Sequence, residues 1–594
     1  MARDSNLNAP ELRARAVEAA QGLAPFDLLI SNTRLADMVT GRIRDADIGI
    51  IGGLIASVRP PGAPQDAKER VDAGGRFALP GLIDTHMHVE SSMVTPAEYA
   101  AAVVPRGVTT IVWDPHEFAN ACGLAGVDYA VAAGRDLPLR FLTLAPTCVP
   151  SAPGFETSGG DFDPQVLAEL LARDAIHGAA ELMTMQPLLN GSARVRGIVN
   201  AGLESGKRVC GHARGLEGGA LAAYAAAGVE TDHELSSADD LMARLEAGMT
   251  VELRGSHEHL LPEFAEALLQ LGHLPQTVTF CTDDVFPDDL AAKGGLDHVV
   301  RCMISHGLPP EWAYRAATLN AATRIRRPDL GLIAPGKRAD LAILDDLAQV
   351  KTDLVVADGK MVSERGKLTV PCQREAPPEV LRKSVSVAEL QPRDFEVPAQ
   401  GTEARIKVLS KPRFPVWSSR KVRVEGGKLM LPDDMIRMAV ANRYGRNFPV
   451  RVAFLERWGS WRCAFATTVS HDSHNLTVFG REPVDMALAA NTVRASNGGV
   501  CVVAQGRVVE HVGLPLAGLV SEEPLANVAE GFAALRAAID ELVDWQPPYL
   551  VFKALFGASL VCNPGPRLSD VGIVDVFEEA ILETPVVSGG AGSP

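Results

Sequence analysis

The chain has 594 residues, a hydrophobic fraction of 47% and a formal net charge of −16 at pH 7. A chain of this length can bury more than one hydrophobic core, and we expect two or three domains. The negative charge argues against a nucleic-acid backbone or an anionic membrane as the main partner. We find no signal peptide, no run of the roughly 18 apolar residues that cross a bilayer, and nine scattered cysteines without a Cys-x-x-Cys pair. These features predict a soluble cytoplasmic protein with reduced thiols.

The sequence pattern of the N-terminal part changes at residue 26. Residues 1–25 contain ELRARAVEAAQGL, which predicts a charged, amphipathic helical leader. From residue 26, alternating segments such as DADIGIIGGLIASVRP predict short β-strands separated by Gly and Asp turns. The same pattern returns in GLIAPGKRADLAILDDL. We therefore predict one small β-sandwich-like domain, built from residues 26–78 together with residues 331–370.

Residues 79–330 alternate apolar strands with Ala-rich helices such as EGGALAAYAAAG. The strand candidates after the first are GVTTIVWD, LRFLTLAPT, IHGAAELM, RVCGHA, GVETDHE, GMTVELRG and TVTFCTDD. Strands that alternate with helices predict a parallel sheet, and about eight such units in roughly 250 residues match a (β/α)₈ barrel. After the barrel we predict a connector over residues 371–400, an α+β domain over residues 401–585 and a flexible tail over residues 586–594.

Residues 79–92 read LPGLIDTHMHVESS, with two histidines at the end of an apolar run. Alternate side chains of a strand share one face, so we expect His86, His88 and Glu90 to point the same way. Functional groups of such barrels lie at the C-terminal ends of the strands. The titratable residues at the other predicted strand ends are Asp114, His116, Glu117, Glu181, His212, His233, Asp283 and Asp284.

Any single member of this set could be a hydrogen-bonded anchor of the fold. Four histidines and two acids that converge in one barrel would be costly to bury unless something neutralised them, and a metal centre would do so. Mixed imidazole and carboxylate ligands suit Zn, Fe or Mn, and a carboxylate such as Glu181 can bridge two ions. Such a centre lowers the pKa of bound water from near 16 to about 7. The sequence thus predicts a binuclear metal site and a hydrolytic reaction.

Several longer motifs carry a resemblance to a known family. The set HVESSMVTP, DPHEFAN, AAELM, GHARGLEGGALAAYAAAGVETDHE and CTDDVFPDDL resembles the amidohydrolase superfamily, and within it the bacterial adenine deaminases. The C-terminal stretches VSHDSHNLTVFG and NPGPRLSDVGIVDV resemble the additional domain of that family. The resemblance covers residues 26–580. One segment, VELRGSHEHL, departs from the Arg-Glu-Gly-Ser expected there, and this departure concerns Arg254, Ser256 and His257.

The resemblance implies an α/β fold: a TIM-type metal-dependent hydrolase barrel, a small β-domain from both flanks and an adenine-deaminase-type C-terminal domain. It implies two divalent metal ions, Mn or Fe first and Zn as an alternative. It also implies a homodimer or larger homo-oligomer, with no nucleic-acid or membrane partner. The metal ligands that it implies are His86, His88, Glu181, His212, His233 and Asp283.

The implied reaction is hydrolysis of adenine to hypoxanthine and ammonia, by attack of a metal-bridging hydroxide on C6. Asp283 or Asp284 is expected to take the proton of the hydroxide and to pass it to the departing amine. Glu90 is the first choice for protonating a ring nitrogen, and His116 is the second. The residues expected to bind substrate are Glu90, Ser91, Ser92, Asp114, His116, Met183, His471 and His474.

Three alternatives stay open at this point. The same barrel could hydrolyse a cyclic amide, although IHGAAELM offers Glu181 where many amidohydrolases use a bridging carboxylated Lys. It could deaminate another 6-substituted purine, or it could be a non-enzymatic relative used for assembly. A non-enzymatic relative would be expected to have lost ligands.

Overall fold

The computed structural model of the protein describes residues 5–62, 65–412, 414–545 and 551–587. Its centre is a closed barrel of eight parallel strands, here numbered β1 to β8 in chain order. These strands are Leu82–Met87, Val108–Trp113, Arg140–Thr143, Gly178–Leu182, Arg208–Gly211, Thr231–Asp232, Thr250–Arg254 and Val278–Cys281. Each predicted barrel strand is present, in the predicted order, so the predicted fold class is confirmed.

Backbone pairing joins the eight strands into a ring. Parallel ladders connect β1 with β2 and β3, β4 with β5, and β6 with β7 and β8. Single contacts close the gaps between these ladders: an Ala145–Ala179 bridge, a hydrogen bond of 3.0 Å from Glu230 N to Val209 O, and a Met87–Asp283 bridge. Closure brings the C-terminal ends of all eight strands to one mouth.

The barrel strands are apolar because they are covered on both sides. All six residues of β2, VTTIVW, are buried, as is typical of parallel strands that lie beneath helices. The outer helix Leu261–Leu271 buries Leu261, Phe264, Ala265 and Leu268. That spacing puts one apolar stripe of the helix against the strands.

The α-helices of the barrel region surround the strands. They are Pro96–Val103, His116–Cys122, Leu124–Ala133, Pro164–Leu171, Met185–Leu189, Ala193–Glu204, Gly218–Ala226, Ala238–Glu246, Leu261–Leu271, Pro287–Ala292, Leu296–Ser305, Pro310–Arg315 and Ala321–Arg324. Short 3₁₀ turns cover Val89–Ser92, Val104–Arg106 and Gly255–Leu260, and a π-helical turn covers Ala316–Asn320. Within the described ranges, no helix has both the length and the apolar character of a membrane span.

A nine-stranded sheet draws its strands from both sides of the barrel. The strand Phe77–Pro80 joins the two halves, because it pairs in parallel with Phe26–Ala36 and antiparallel with Leu341–Asp346. The remaining strands are Ile43–Ile51, Leu54–Arg59, Ala67–Asp72, Lys351–Ala357, Lys360–Glu364 and Lys367–Leu368. The helix Pro10–Ala20 of the predicted leader packs on this sheet through buried Ala16 and Ala19.

A second large sheet, of ten strands, belongs to the C-terminal part. Its strands are Glu403–Ser410, Val416–Glu425, Lys428–Leu429, Met435–Ala441, Arg451–Glu456, Ala464–Thr467, Leu476–Gly480, Gly499–Ala504, Arg507–Gly513 and Val586–Val587. Smaller pairings involve Ser460–Trp461, Val543–Asp544, Arg567–Leu568, Ile573–Asp575 and Ala580–Leu582. The helices here are Pro483–Ala495, Leu525–Leu542 and Val551–Phe556. The connector contains the helix Glu379–Arg382 and a 3₁₀ turn over Pro392–Phe395.

The predicted flexible tail needs one correction. Val586 and Val587 pair antiparallel with Ile406 and Arg405, so these two residues are part of the C-terminal sheet. Residues 588–594, the rest of that tail, and residues 1–4 of the leader lie outside the described residues.

The C-terminal domain docks against the mouth of the barrel. Asp570 accepts hydrogen bonds from the backbone N–H and hydroxyl of Thr157, which belongs to a barrel loop. The guanidinium of Arg536 pairs with Asp288 at 2.8 Å. These contacts bring side chains of both domains around one cavity.

Candidate active site

Six side chains with metal-binding groups converge at the barrel mouth. His86 is on β1 and His88 follows it, and Glu181 is on β4. His212 and His233 directly follow β5 and β6, and Asp283 lies two residues after the end of β8. None of the six is more than 4% exposed. The strands have placed together the complete ligand set expected from the sequence.

Glu181 lies at the centre of this cluster. Its Oε2 is 3.0 Å from Nδ1 of His212 and 3.1 Å from Nε2 of His233. Its Oε1 faces the other pair, at 3.5 Å from Nε2 of His88 and 3.8 Å from Nε2 of His86. Burial alone would raise the pKa of Glu181, but the surrounding imidazoles, His233 first, hold it well below its ordinary value. One carboxylate therefore faces two pairs of imidazoles.

Asp283 completes the cluster, and hydrogen bonds from Arg254 and Ser256 fix its carboxylate. Its Oδ1 is 3.4 Å from Nε2 of His88. Its Oδ2 accepts hydrogen bonds from Nη1 of Arg254 at 2.6 Å and from Oγ of Ser256 at 2.7 Å. His88 is oriented too, because its Nδ1 donates to the carbonyl of Asp114 at 3.0 Å and leaves Nε2 to face the cluster.

The residues fit the divalent metal that this kind of donor set implies. Within the described ranges, both ring nitrogens of His86, Nε2 of His212 and Nδ1 of His233 are buried without a hydrogen-bond partner. Two overlapping groups, His86–Glu181–His233 and His86–His88–Asp283, each hold their donor atoms within 4.8 Å of one another. Imidazole and carboxylate donors suit Zn, Fe or Mn. A bound cation would satisfy groups that are otherwise costly to bury.

Arg254 supports a stability prediction. Its guanidinium, 6% exposed, lies between Asp283 and Glu234, with bonds of 2.5 and 2.8 Å to Glu234. Arg254→Met leaves Asp283 buried without its guanidinium, while Glu234 keeps its pair with Arg214, and we expect metal-free protein to lose about 3–5 kcal/mol of unfolding free energy. Denaturant unfolding measures this loss. The control is Arg326→Met, which removes a half-exposed pair with Glu230 and should cost less than about 1 kcal/mol; equal losses would contradict the structural role of Arg254.

A cavity of about 110 Å³ opens above the cluster. Barrel residues that line it include His88, His116, Glu117, Glu181, Met183 and Asp284. The C-terminal domain adds His471, Asp472, Lys553, Phe556, Leu560 and Asn563. Ligand sites for drug-sized molecules span about 300–1,000 Å³. This cavity is on the scale of one small heterocycle, and two domains enclose it.

The expectation that Glu90 faces the cavity was wrong. Strand β1 ends at Met87, and Val89–Ser92 forms a 3₁₀ turn, so the alternation of faces does not continue to Glu90. The Glu90 carboxylate accepts from the Trp113 indole N–H at 2.7 Å and from the backbone N–H of Phe118 at 3.2 Å. Glu90 does not line the cavity. Burial and the neighbouring Glu117 raise its pKa to about 8.

Three further residues expected at the substrate lie behind the cavity wall. Ser92 donates its hydroxyl to the carbonyl of Val89 within the turn, at 2.6 Å. Asp114 accepts from the backbone N–H of His116 at 3.1 Å, and its carboxylate lies 3.2 Å from Nδ1 of that ring. Ser91 donates to Glu117 at 3.2 Å and to Asp284. The contacts of Asp114 and Ser91 hold the wall residues His116, Glu117 and Asp284 in place.

His116 is at the wall, as expected. Its Nδ1 faces Asp114, and its Nε2 lies 3.7 Å from Oδ1 of Asp472. Burial acts to lower the pKa of His116, but the carboxylates of Asp114 and Asp472 raise it well above its ordinary value. The imidazole therefore lies between two carboxylates that favour its charged form.

Glu117 occupies the position that the sequence analysis gave to Glu90. It is 1% exposed, lines the cavity, and its Oε2 has no hydrogen-bond partner among the described residues. Its Oε1 accepts from Ser91 and lies 3.5 Å from Nδ1 of His471. Burial raises the pKa of Glu117. A carboxyl group that keeps its proton can act as an acid.

Of the remaining expected residues, Asp284, Met183 and His471 line the cavity. His474 does not; it is fully buried, with Nδ1 beside the backbone N–H of Ser470 at 3.3 Å. Burial holds its pKa well below the ordinary value.

Sequence reasoning missed several residues of the wall. Arg254 and Ser256 sit at the end of β7; the sequence analysis named them only as part of a departure from the family's pattern and gave them no role. Asp472 lies in VSHDSHNLTVFG, where the sequence analysis placed His471 and His474 at the substrate but gave Asp472 no role. Lys553 carries no local signal, and docking of the two domains brings both residues to the barrel.

Comparisons with known proteins agree with this architecture. The amidohydrolase family matches residues 77–362, and the adenine deaminase C-terminal domain matches residues 416–580. The chain is 57% identical over 578 residues to adenine deaminase 2 of Rhizobium meliloti, covering 97% of each chain. It is 54% identical to adenine deaminase 2 of Rhizobium johnstonii, with 98% of each chain covered, and 47% identical to adenine deaminase of Klebsiella pneumoniae, with 96% of each covered. The chain therefore belongs to the adenine deaminase family of amidohydrolases.

Proposed function

We propose that the protein catalyses the hydrolytic deamination of adenine to hypoxanthine and ammonia, a reaction of purine salvage. The observation that carries this proposal is the match to relatives named adenine deaminase over 96–98% of the chain. The geometry supports it, since a cavity of about 110 Å³ lies directly over a buried cluster of imidazoles and carboxylates.

His86, His88, Glu181, His212, His233 and Asp283 would hold two divalent metal ions, with Mn or Fe preferred and Zn as an alternative. When bound, such ions lower the pKa of water to about 7 and so supply hydroxide at neutral pH. The two oxygens of Glu181 face different histidine pairs, so this carboxylate would contribute ligand atoms on both sides of the cluster.

The chain's own residues would move the protons. Glu117 carries its proton on the cavity wall and donates it to ring nitrogen N1 as oxygen adds to C6. Asp284 accepts one proton from the attacking water and delivers it to the C6 amino nitrogen, so that the C6–N bond breaks and ammonia leaves. The second proton of that water is released to solvent as the C6 carbonyl forms. The proton on N1 stays in hypoxanthine, and solvent reprotonates Glu117. Asp283 is held by Arg254 and Ser256 in its place among the ligands.

Glu90→Gln should retain turnover of adenine, because Glu90 lies behind the wall. We expect kcat to stay within about tenfold of wild type, whereas loss of a general acid costs about 10²–10⁴-fold. The amide can replace one of two acceptors, so stability should fall by about 1–3 kcal/mol. Steady-state kinetics and thermal unfolding measure the two effects; a kcat loss near 10³-fold would return the acid role to Glu90.

The same residue predicts a pH effect on stability. Its folded-state pKa, about 8, lies above the ordinary 4.5, so the folded state binds more protons between these values. Glu90 therefore makes its full contribution to the free energy of unfolding below pH 4.5. This contribution is lost as the pH rises towards 8, so the protein becomes less stable over that range. Glu90→Gln should flatten this part of the stability profile, and an unchanged slope would contradict the assignment.

A substrate panel tests the proposed function. Metal-loaded protein is assayed for ammonia release from adenine and adenosine, for methylamine release from 6-methylaminopurine, and for ring opening of hydantoin. We expect turnover of adenine with at most weak activity on the others. Preferred turnover of hydantoin would overturn the proposal in favour of a cyclic amidohydrolase, and preferred turnover of 6-methylaminopurine would move the substrate to another 6-substituted purine.

A further inference from the structure

The C-terminal domain places one carboxylate directly in the cavity wall. Asp472 is 1% exposed and lines the cavity together with His116 and His471. Its Oδ1 lies 3.7 Å from Nε2 of His116 and 3.8 Å from Nδ1 of His471. Both distances are beyond a good hydrogen bond. Two imidazoles therefore lie near the Asp472 carboxylate, but neither donates a good hydrogen bond to it.

The second carboxylate oxygen of Asp472, Oδ2, gives stronger evidence for contact with a bound molecule. In the described part of the chain, Oδ2 is buried and has no hydrogen-bond partner. A buried carboxylate oxygen without a donor is costly. Because the residue borders a cavity of about 110 Å³, the donor can come from the molecule that fills the cavity.

The chemistry of a purine base identifies such a donor. A free base carries one N–H on its imidazole ring, on N7 or N9, and a nucleoside has replaced the N9 hydrogen by a sugar. A buried carboxylate acceptor at this point therefore separates the two classes. The free base satisfies it, and a substituted base leaves it unpaired as well as crowding a small cavity.

We propose that Asp472 accepts the imidazole-ring N–H of the purine and thereby selects the unsubstituted base. This inference rests on the proposed function, because it takes adenine as the occupant of the cavity. Asp472 is then a specificity-determining residue contributed by the C-terminal domain. That domain would read the imidazole ring of the substrate, while the barrel carries the chemistry.

The test compares kcat/KM for adenine, 7-methyladenine and 9-methyladenine in wild type, Asp472→Asn and Asp472→Ala, all metal-loaded. A site that hydrogen-bonds a substrate N–H rejects an analogue without it by about 10⁴–10⁵-fold. We expect wild type to prefer adenine over both methyl isomers by that factor, because methylation of either N7 or N9 removes the only imidazole-ring N–H. In Asp472→Ala the preference should fall to roughly 10–200-fold, the range for one methyl group alone. Asp472→Asn, which keeps an acceptor oxygen, should lie between them.

A matched control is Asp485→Asn. Asp485 is 8% exposed and accepts from the backbone N–H groups of Gln505 and Gly506, away from the cavity. This variant should keep the wild-type preference. If the Asp472 variants turn over too slowly to compare, the dissociation constants of hypoxanthine and its methylated isomers give the same ratio without catalysis.

The outcomes are separable. A wild type that deaminates adenine, with a methyl preference unchanged in Asp472→Ala, overturns the inference and leaves the proposed function standing. A wild type that releases no ammonia from adenine overturns the proposed function and the inference together. A preference that falls in Asp472→Ala and partly recovers in Asp472→Asn supports the inference.

Discussion

Glu181→Gln is expected to abolish deamination of adenine and to lower the metal content of the purified protein. Glu181 faces all four ligand histidines within 3.8 Å, and an amide provides one neutral oxygen where the carboxylate provides two charged ones. Without the metal, water regains an unperturbed pKa near 16 in place of about 7, so we expect kcat to fall by roughly 10³-fold or more. Ammonia release and elemental analysis of the same preparation measure both effects.

Glu156→Gln provides the matched control for this substitution. Glu156 is also buried, but its Oε1 accepts from the backbone N–H of Ala152, and it does not line the cavity. Burial raises its pKa to about 8, so the amide removes little charge at neutral pH. The control should keep both activity and metal. A Glu181→Gln protein that retained full metal and turnover would contradict the assignment of the cluster.

Glu117→Gln is expected to lower kcat by about 10²–10⁴-fold, the usual contribution of a general acid. The amide keeps the size of the side chain and can still accept from Ser91, but it cannot deliver a proton to the ring. Its KM for adenine should change far less than kcat, because the loss is confined to the transition state. Glu90→Gln is the control, since it is the same substitution in the neighbouring buried glutamate.

The pH dependence separates the two glutamates further. A general acid must be protonated, so kcat/KM should fall as the pH rises through the raised pKa of Glu117. This alkaline limb should disappear in Glu117→Gln and persist in Glu90→Gln. An alkaline limb that survives in Glu117→Gln would assign the acid role to another group, with His116 the next residue on the wall.

The sequence was sufficient to predict the barrel and the cluster of imidazoles and carboxylates at its mouth. The reason is local: each ligand lies at or just after the end of an apolar strand, and closure of a parallel barrel brings those ends together. Correct strand boundaries were enough to place five members of the cluster at the barrel mouth: His86, Glu181, His212, His233 and Asp283. The pairing of Phe77–Pro80 with strands from both flanks could also be anticipated, because the same short-strand pattern occurs before and after the barrel.

The residues that the sequence placed wrongly depend on geometry beyond the strand period. Glu90 follows the end of β1, and a 3₁₀ turn carries it behind the wall while Glu117, at the start of a helix, comes forward. Alternation along a strand cannot predict where such a turn aims its side chains. Asp472 and Lys553 reach the cavity only because a second domain docks on the barrel, through contacts such as Asp570 with Thr157. No local pattern predicts such long-range packing.

The central claim is that metal bound by this cluster enables the protein to deaminate adenine. The most direct measurement is ammonia release from adenine by metal-depleted protein as Mn is added back in known amounts. The account predicts no activity without metal and activity that rises until two equivalents per chain are bound, with Fe able to replace Mn and Zn as the alternative. Full adenine turnover in rigorously metal-free protein, or none at any metal loading, would contradict it.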